Sequence, residues 1–440
     1  MRLGVSLQEG GAYGLDPKAL LGAVDAYKDR LARALGVDPA KAAHLYPAAC
    51  GIWVTWKGRQ GPVFPPAELM DGLRDRGVAP MFHCGADPRP GYSAAGFTYD
   101  RILAGDCDEG LKAFAAAANA WRDGPGASGK NAQGRTKSGV ILFRWNFEMN
   151  THWMPWSPGW RAEAAPFIQG ATVEPRTLIT ANVPHGLKVG DHVQVEWNHA
   201  AWNARKNSWM NGNRTVTEVP SPTTFRIDWA VTSVSGGGAG GHVLKGWPGE
   251  GTFPGNTLAN FKKAWAHVHD RIRVAGGASH VRMFYCPFNT PESAAGHMPD
   301  DAVVQVAGCD AYDEEGTGAG MVQAIRPTYD AIQAAAGPKR GARPFLIGEG
   351  GSERAGGHPV WNDANDAVRA AWLDGLDVLA TWPAFAGYTY FNLHVRGSKD
   401  WRFDAVDPEK SGIDTGSPKM LRAWAQKAAA HPGRYPDSGP

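Results

Sequence analysis

The sequence predicts an α/β fold, a parallel (β/α)8 TIM barrel with a small all-β insertion module after its fourth strand. Three observations carry this expectation. Eight short apolar runs alternate with amphipathic stretches of helical period. The runs are apolar on both faces, as parallel strands must be when helices cover one side and a packed core fills the other. The alternation fails in one place, between residues 166 and 246, where short β segments and turn residues take over. A chain of 440 residues with 43% hydrophobic composition can bury one large core and still carry such a module. A doubly wound open sheet is the competing architecture, but it calls for a glycine-rich phosphate loop after an early strand, and the sequence has none there.

The predicted strands in order are RLGVSL (2–7), CGIWVTW (50–56), APMFHC (79–84), VILFRW (140–145), VRMFYC (281–286), VVQVAGCDAY (303–312), RPFLIGE (343–349) and GYTYFNL (387–393). The clearest helix between them has Leu258, Phe261, Trp265, Val268 and Ile272 on one face and ends at a Gly pair. A final helix opens with Ser417-Pro418, an N-cap followed by a first-turn proline. The fifth repeat is the weakest, since Thr290 to Asp301 shows little helical pattern. Residues 1–165 are thus the first part of the barrel, 166–246 the module and 247–440 the second part. Within the module TLITAN, HGLKVGDHVQVEW and NGNRTVTEVPSPTTFRIDW read as strands, followed by the glycine-rich SGGGAGG.

Composition narrows the partners. A formal charge of +2, without a basic block or acidic tail, argues against nucleic acid and membrane surfaces. Eighteen tryptophans suit a surface that binds amphipathic rings such as sugars. The five cysteines, at 50, 84, 107, 286 and 309, lack metal spacing and read as reduced core residues. MRLGVSLQEGG holds no apolar stretch of signal-peptide length, and no segment approaches a membrane span.

The stretch RWNFEMNTHWMPW (144–156) sets one carboxylate, Glu148, among large aromatic rings just beyond the fourth strand, and Glu349 ends the seventh. In a (β/α)8 barrel both positions open on the C-terminal mouth. Retaining hydrolysis of a glycosidic bond needs such a pair, an acid that protonates the leaving oxygen and an ionised nucleophile roughly 5 Å away. Arg144 has a fork of donors that can hold an acidic side chain and favour its ionised state. His83, at the end of the third strand, is a sugar-contact candidate, as is the nearby Asp87. Trp53, Trp56, Tyr285 and Trp382 are candidate subsite walls. Asp310 faces core or mouth depending on register. The chemistry calls for no cofactor and no metal, and the acidic run at 313–315 reads as a solvated loop.

The same residues resemble glycoside hydrolase family 26, whose known members are mostly endo-β-mannanases of the barrel clan with acid and nucleophile on strands four and seven. Arg144, Glu148, Met149, Asn150, Trp153, Pro155 and Trp156 fall in register on that family's acid/base motif. The resemblance continues through GNTLANFKKAWAHVHDRIRVAGGASHVRMFYCPFN, VAGCDAYD, FLIGEGG and WPAFAGYTYFN, nearly all of the chain outside the insertion. It implies Glu148 as acid/base, Glu349 as nucleophile, Asn150, Trp153 and Trp156 at the substrate, and Tyr312 orienting the nucleophile. Two positions depart from the motif: Phe147 stands where the family has His, and Trp145 where it has Pro. The segment HGLKVGDHVQV…NGNRTVTEVPSPTTFRID resembles small β modules of bacteriophage tail proteins. Together these imply a retaining endo-acting hydrolase of a mannan-like or bacterial surface or cell-wall glycan, in a phage virion beside other tail proteins. A cytoplasmic enzyme is the alternative setting, and a tail protein that binds carbohydrate without cleaving it the alternative function.

Overall fold

The computed structural model describes residues 1–6, 16–86, 97–151, 154, 156–158, 168–174, 176–182, 184–196, 212–228, 242–245, 255–313, 320–337, 343–352, 363–392 and 418–431. The apolar runs before the insertion form β1 (Arg2–Ser6), β2 (Ala49–Trp53), β3 (Ala79–Cys84) and β4 (Ile141–Trp145). The insertion supplies β5 (Ile168–Glu174), β6 (Arg176–Ala181), β7 (His192–Glu196), β8 (Gly212–Ser221), β9 (Thr224–Ile227) and β10 (His242–Lys245). The remaining runs form β11 (Val281–Tyr285), β12 (Val306–Asp313), β13 (Phe345–Ser352) and β14 (Phe385–Phe391). Strands β1 to β4 and β11 to β14 pair in parallel and close, β14 against β1, into the eight-stranded barrel that the sequence predicts. The insertion forms a separate antiparallel sheet in the order β10-β7-β8-β9-β6-β5.

Helices follow the amphipathic stretches: α1 (Pro17–Leu35), α2 (Ala67–Asp75), α3 (Tyr99–Leu103), α4 (Asp108–Asp123), α5 (Leu258–His269), α6 (Pro291–His297), α7 (Met321–Ala335), α8 (Asp363–Trp372), α9 (Gly375–Leu379) and α10 (Pro418–Ala430). The Asp16 carboxylate caps α1 by accepting from the Lys18 and Ala19 amides, and Gly36 ends it at φ 70°, a left-handed geometry that favours glycine. The weak fifth repeat is α6, a seven-residue helix with proline in its first turn. It is too short for a repeating apolar stripe to show in sequence.

Period-two alternation sets what the barrel encloses. Met81, Leu142, Phe284, Cys286, Val306 and Leu346 share one interior cluster. The alternate residues Phe82 and Phe143 pack instead on Phe114 of α4. Continuing the inward rows toward the C-terminal strand ends leads to His83 on β3 and Arg144 on β4, which are register partners. β13 breaks its alternation. Cys309 to Ala311 on β12 spans the same ladder as Ile347 to Gly350 on β13, and the β14 side shows the same offset. A bulge therefore lies at Gly348–Glu349 and turns Glu349 inward, where strict alternation from Leu346 would send it outward.

The chain divides into two compact units. Met1–Phe97, Arg101–Glu148 and Lys262–Pro440 form the first, and Thr98–Asp100 with Met149–Phe261 the second. The second has its own core of Ile179, Leu187, Val193, Val195, Val216, Phe225, Ile227 and Val243. There the β8–β9 hairpin turns on Pro222-Thr223, and β5 and β10 are strands that sequence patterning did not separate from their surroundings. Among the described residues no helix is long and apolar enough to cross a membrane.

Candidate active site

Arg144, the fourth residue of β4, is fully buried and organises the barrel mouth. Its Nη1 donates to Glu349 Oε1 at 2.7 Å, and its Nη2 donates to Asp310 Oδ2. Glu349 is held from its other oxygen as well, where the Tyr312 hydroxyl donates to Oε2 at 2.7 Å. The second oxygen of Asp310 accepts from the Cys286 thiol at 3.2 Å. His83 Nδ1 stands 2.5 Å from Arg144 Nη1 and 3.0 Å from Glu349 Oε1. Gly348 makes room for this network. A Cβ there would lie 2.4 Å from Cys286 Sγ, 2.9 Å from Asp310 Oδ1 and 3.0 Å from Arg144 Nε.

Glu148 reaches the mouth from a strained turn. Asn146 and Glu148 adopt φ of 48° and 49°, a left-handed conformation that side-chain-bearing residues seldom take. The surroundings fix it. Asn146 donates its amide to Cys84 O at 2.7 Å and accepts from the Ala86 amide through Oδ1 at 2.7 Å, and the Glu148 amide donates to Cys286 O at 2.8 Å. The turn is thus tied to the last residue of β3, to Ala86 two residues beyond it, and to Cys286 just after β11. Carboxylate oxygens of Glu148, Asp310 and Glu349 all lie within 4.8 Å of one another. Three such groups are a donor set of the kind that holds a divalent cation. Here the Arg144 guanidinium, bonded to two of them, already supplies positive charge at the cluster.

The electrostatics separate these groups. Burial alone would raise the Glu349 pKa, but Arg144 first, with His83 and Tyr312, brings it down to about 2. Glu349 is therefore ionised at neutral pH. Asp310 is pushed upward by burial and by the nearby Glu349 and Glu148, against the pull of Arg144. Burial, then Arg144, depresses His83 to about 4, so its ring is neutral at neutral pH.

Of the residues singled out in sequence, Arg144, Glu148, Glu349, Tyr312 and His83 come together at the ends of β3, β4, β12 and β13. The Trp53 ring, at the end of β2, stacks on the His83 ring at 4.9 Å and meets Phe147 edge-on. Phe147 also lies under Arg144, whose guanidinium carbon is 4.9 Å from the ring centre. Trp56 is buried against Trp145 and Phe97. Two expectations need correction. Tyr285 alternates outward from Phe284 and Cys286, packs on Trp265 and donates its hydroxyl to Ala294 O at 2.5 Å, so it is a structural residue between strand and helices. Trp382 precedes β14, at the end of the barrel away from the mouth, and packs on Tyr329 under the Arg326 guanidinium of α7. Asn150 and Trp156 belong to the second unit and are buried there, the Trp156 carbonyl accepting from the Tyr99 hydroxyl. Trp153 and Asp87 lie outside the described residues.

Sequence reading left the orientation of Asp310 open and passed over Cys286 as a site residue. Once Tyr312 is placed at the mouth, period two puts Asp310 on the same strand face, which is the signal that could have settled it.

No protein-family model matches this chain, and no curated protein matches it. Solved structures do. The catalytic domain of a family GH26 endo-β-1,4-mannanase from Bacillus sp. JAMB-750 is similar over 97% of this chain and 85% of that one, with 12% identity and a TM-score of 0.51. A modular endo-β-1,4-mannanase from Cellulomonas fimi matches 98% of this chain and 71% of its own at 14% identity and a TM-score of 0.47. A mannanase from Bacillus subtilis matches 95% and 83% at 12% identity and a TM-score of 0.46. The first likeness extends over the whole barrel and is a likeness of fold.

Proposed function

We propose that this protein is a retaining glycoside hydrolase acting within a polysaccharide. The observation that carries this reading is the carboxylate pair at the ends of β4 and β13, Glu148 and Glu349, whose oxygens approach within 4.8 Å. Carboxyl groups about 5 Å apart leave room for a sugar ring attacked directly by one of them; an inverting pair stands about 6.5–9.5 Å apart to admit a water. In this reading Glu349, ionised beside Arg144 and Tyr312, attacks the anomeric carbon while Glu148 gives its proton to the departing glycosidic oxygen. The bond to the leaving sugar breaks and a glycosyl ester on Glu349 forms. Glu148, now a carboxylate, takes a proton from water, which attacks the same carbon and frees Glu349. Trp53 offers an aromatic face for a sugar at the mouth.

The substrate class this reading favours is a mannan-like or bacterial surface or cell-wall glycan. The test is release of new reducing ends from a panel of such polysaccharides by the purified protein. Glu349→Ala should abolish it on every active substrate. Glu148→Ala should retain turnover of an activated aryl glycoside, whose leaving group departs without a proton, with azide raising the rate by replacing the water that lost its base. Binding to a glycan without new reducing ends would instead support a carbohydrate-binding role. The sequence resemblance of the insertion to phage tail modules supports a setting in a virion, acting on the host surface beside other tail proteins. Absence of the chain from purified particles of the phage that encodes it would rule this setting out.

A further inference from the structure

Cys286, just past β11, is fully buried beside the carboxylate cluster, and its thiol donates to Asp310 Oδ1 at 3.2 Å. Burial first, with Asp310 and Cys309 adding to it against the pull of Arg144, pushes this thiol well above the ordinary cysteine range. It therefore keeps its proton and serves as a donor, not as a nucleophile. The neighbouring strand leaves room for the sulfur. A Cβ on Gly348 would lie 2.4 Å from Cys286 Sγ, so the thiol fills space that a side chain on β13 would need. Through its main chain the same residue anchors the acid, since Cys286 O accepts the Glu148 amide at 2.8 Å.

Asp310 is the group this contact governs. Its Oδ2 accepts from Arg144 Nη2 and its Oδ1 from the thiol. A guanidinium can only donate and the thiol donates here, so both oxygens act as acceptors, the arrangement of a carboxylate. Burial, with Glu349 and Glu148, works against that charge, while Arg144 and the Cys286 thiol favour it. The thiol thus supplies the oxygen that Arg144 leaves free. We propose that Cys286 is a positioning residue: its S–H bond to Oδ1 holds Asp310 as the charged partner of Arg144 Nη2 and leaves Nη1 to Glu349. A guanidinium without Asp310 would turn to Glu349 alone, bind the nucleophile's charge more tightly and slow its attack on the anomeric carbon. This kinetic consequence rests on the glycosidase reading above; the hydrogen bond does not.

The experiment is infrared spectroscopy of the S–H stretch in the folded wild-type protein, with the Cys286 band assigned as the one lost in Cys286→Ser or, equally, in Cys286→Ala. The band should lie at lower frequency and be more intense than that of a thiol in water, the mark of an S–H bonded to a carboxylate. A band at or above the water value would mean that the thiol does not serve a charged Asp310, and overturns the proposal. Where a substrate has been found, Cys286→Ala should lower kcat about tenfold with KM little changed, the loss of one donor to a charged acceptor. Cys286→Ser, which keeps a donor while also removing the sulfur, should recover most of that rate; a serine variant as slow as the alanine one would make Cys286 a packing residue and overturn the proposal as well. If no glycan is cleaved the function above fails, while the spectra still decide whether the thiol holds Asp310.

Discussion

Glu349 is set in two ways, by Arg144 on one oxygen and by Tyr312 on the other, and only the second can be removed without dismantling the cluster. Tyr312→Phe takes away one donor to a charged acceptor and leaves the ring that meets Phe391 edge-on. The sign follows from which form loses its partner. The ionised carboxylate loses a hydrogen bond, so the Glu349 pKa rises from about 2 and the acid limb of the kcat/KM profile moves to higher pH. The rate at neutral pH should fall about tenfold, and an unchanged acid limb would show that the hydroxyl does not act on Glu349. These residues were legible in sequence because their chemistry is uncommon: a carboxylate among aromatic rings, an arginine four positions earlier, a glutamate ending an apolar run. Tyr285 and Trp382 were not legible in the same way, since a tyrosine at a strand end faces mouth or helix according to a one-residue register. A tryptophan ahead of a strand is read as inside it when the strand boundary is misplaced.

At the scale of elements, the bulge in β13 is what the alternation rule could not foresee. The run RPFLIGE reads as a strand, and Glu349 as its end, but the extra residue that turns the carboxylate inward exists only in the pairing with β12 and β14. Gly348 is its sensitive point, because any side chain there meets Cys286 Sγ and Arg144 Nε at 3.0 Å or less. Gly348→Ala is expected to destabilise the fold by about 1–3 kcal/mol by overpacking, measured by urea denaturation. The folded fraction should also lose most hydrolytic activity, since the displaced groups are those that hold Glu349. Wild-type stability and activity in this variant would mean that the mouth can relax around a methyl group. The strained turn carrying Glu148 was likewise invisible, its left-handed φ values being dictated by partners at or just past the ends of β3 and β11 and not by a glycine in the local sequence. Helix α6 and strands β5 and β10 are short, and short elements carry too few periods to stand out.

The whole molecule has an acid weakness written into four histidines, three of them buried and His269 half-buried. His83, His269, His280 and His297 are each brought down to about 4, in every case first by burial. A depressed folded pKa means that the unfolded chain binds the proton first. The stability these groups contribute is complete above their unfolded pKa of about 6.5 and is lost as pH falls toward about 4. Urea midpoints should therefore drop steadily between those values, and His297→Gln, remote from the carboxylate cluster, should flatten that slope; a flat profile in the wild type would contradict the burial argument. The barrel itself was the most legible feature, because eight long-range repeats must all agree before it closes, whereas the chemistry depends on a few atoms at one end of it. A covalent glycosyl intermediate on Glu349 is the step on which the proposed function turns, and it is tested most directly by the anomeric configuration of the product, followed by proton NMR from the moment of mixing with an active substrate. The configuration of the cleaved bond should appear first and mutarotate only later; initial appearance of the opposite anomer would contradict a covalent intermediate on Glu349.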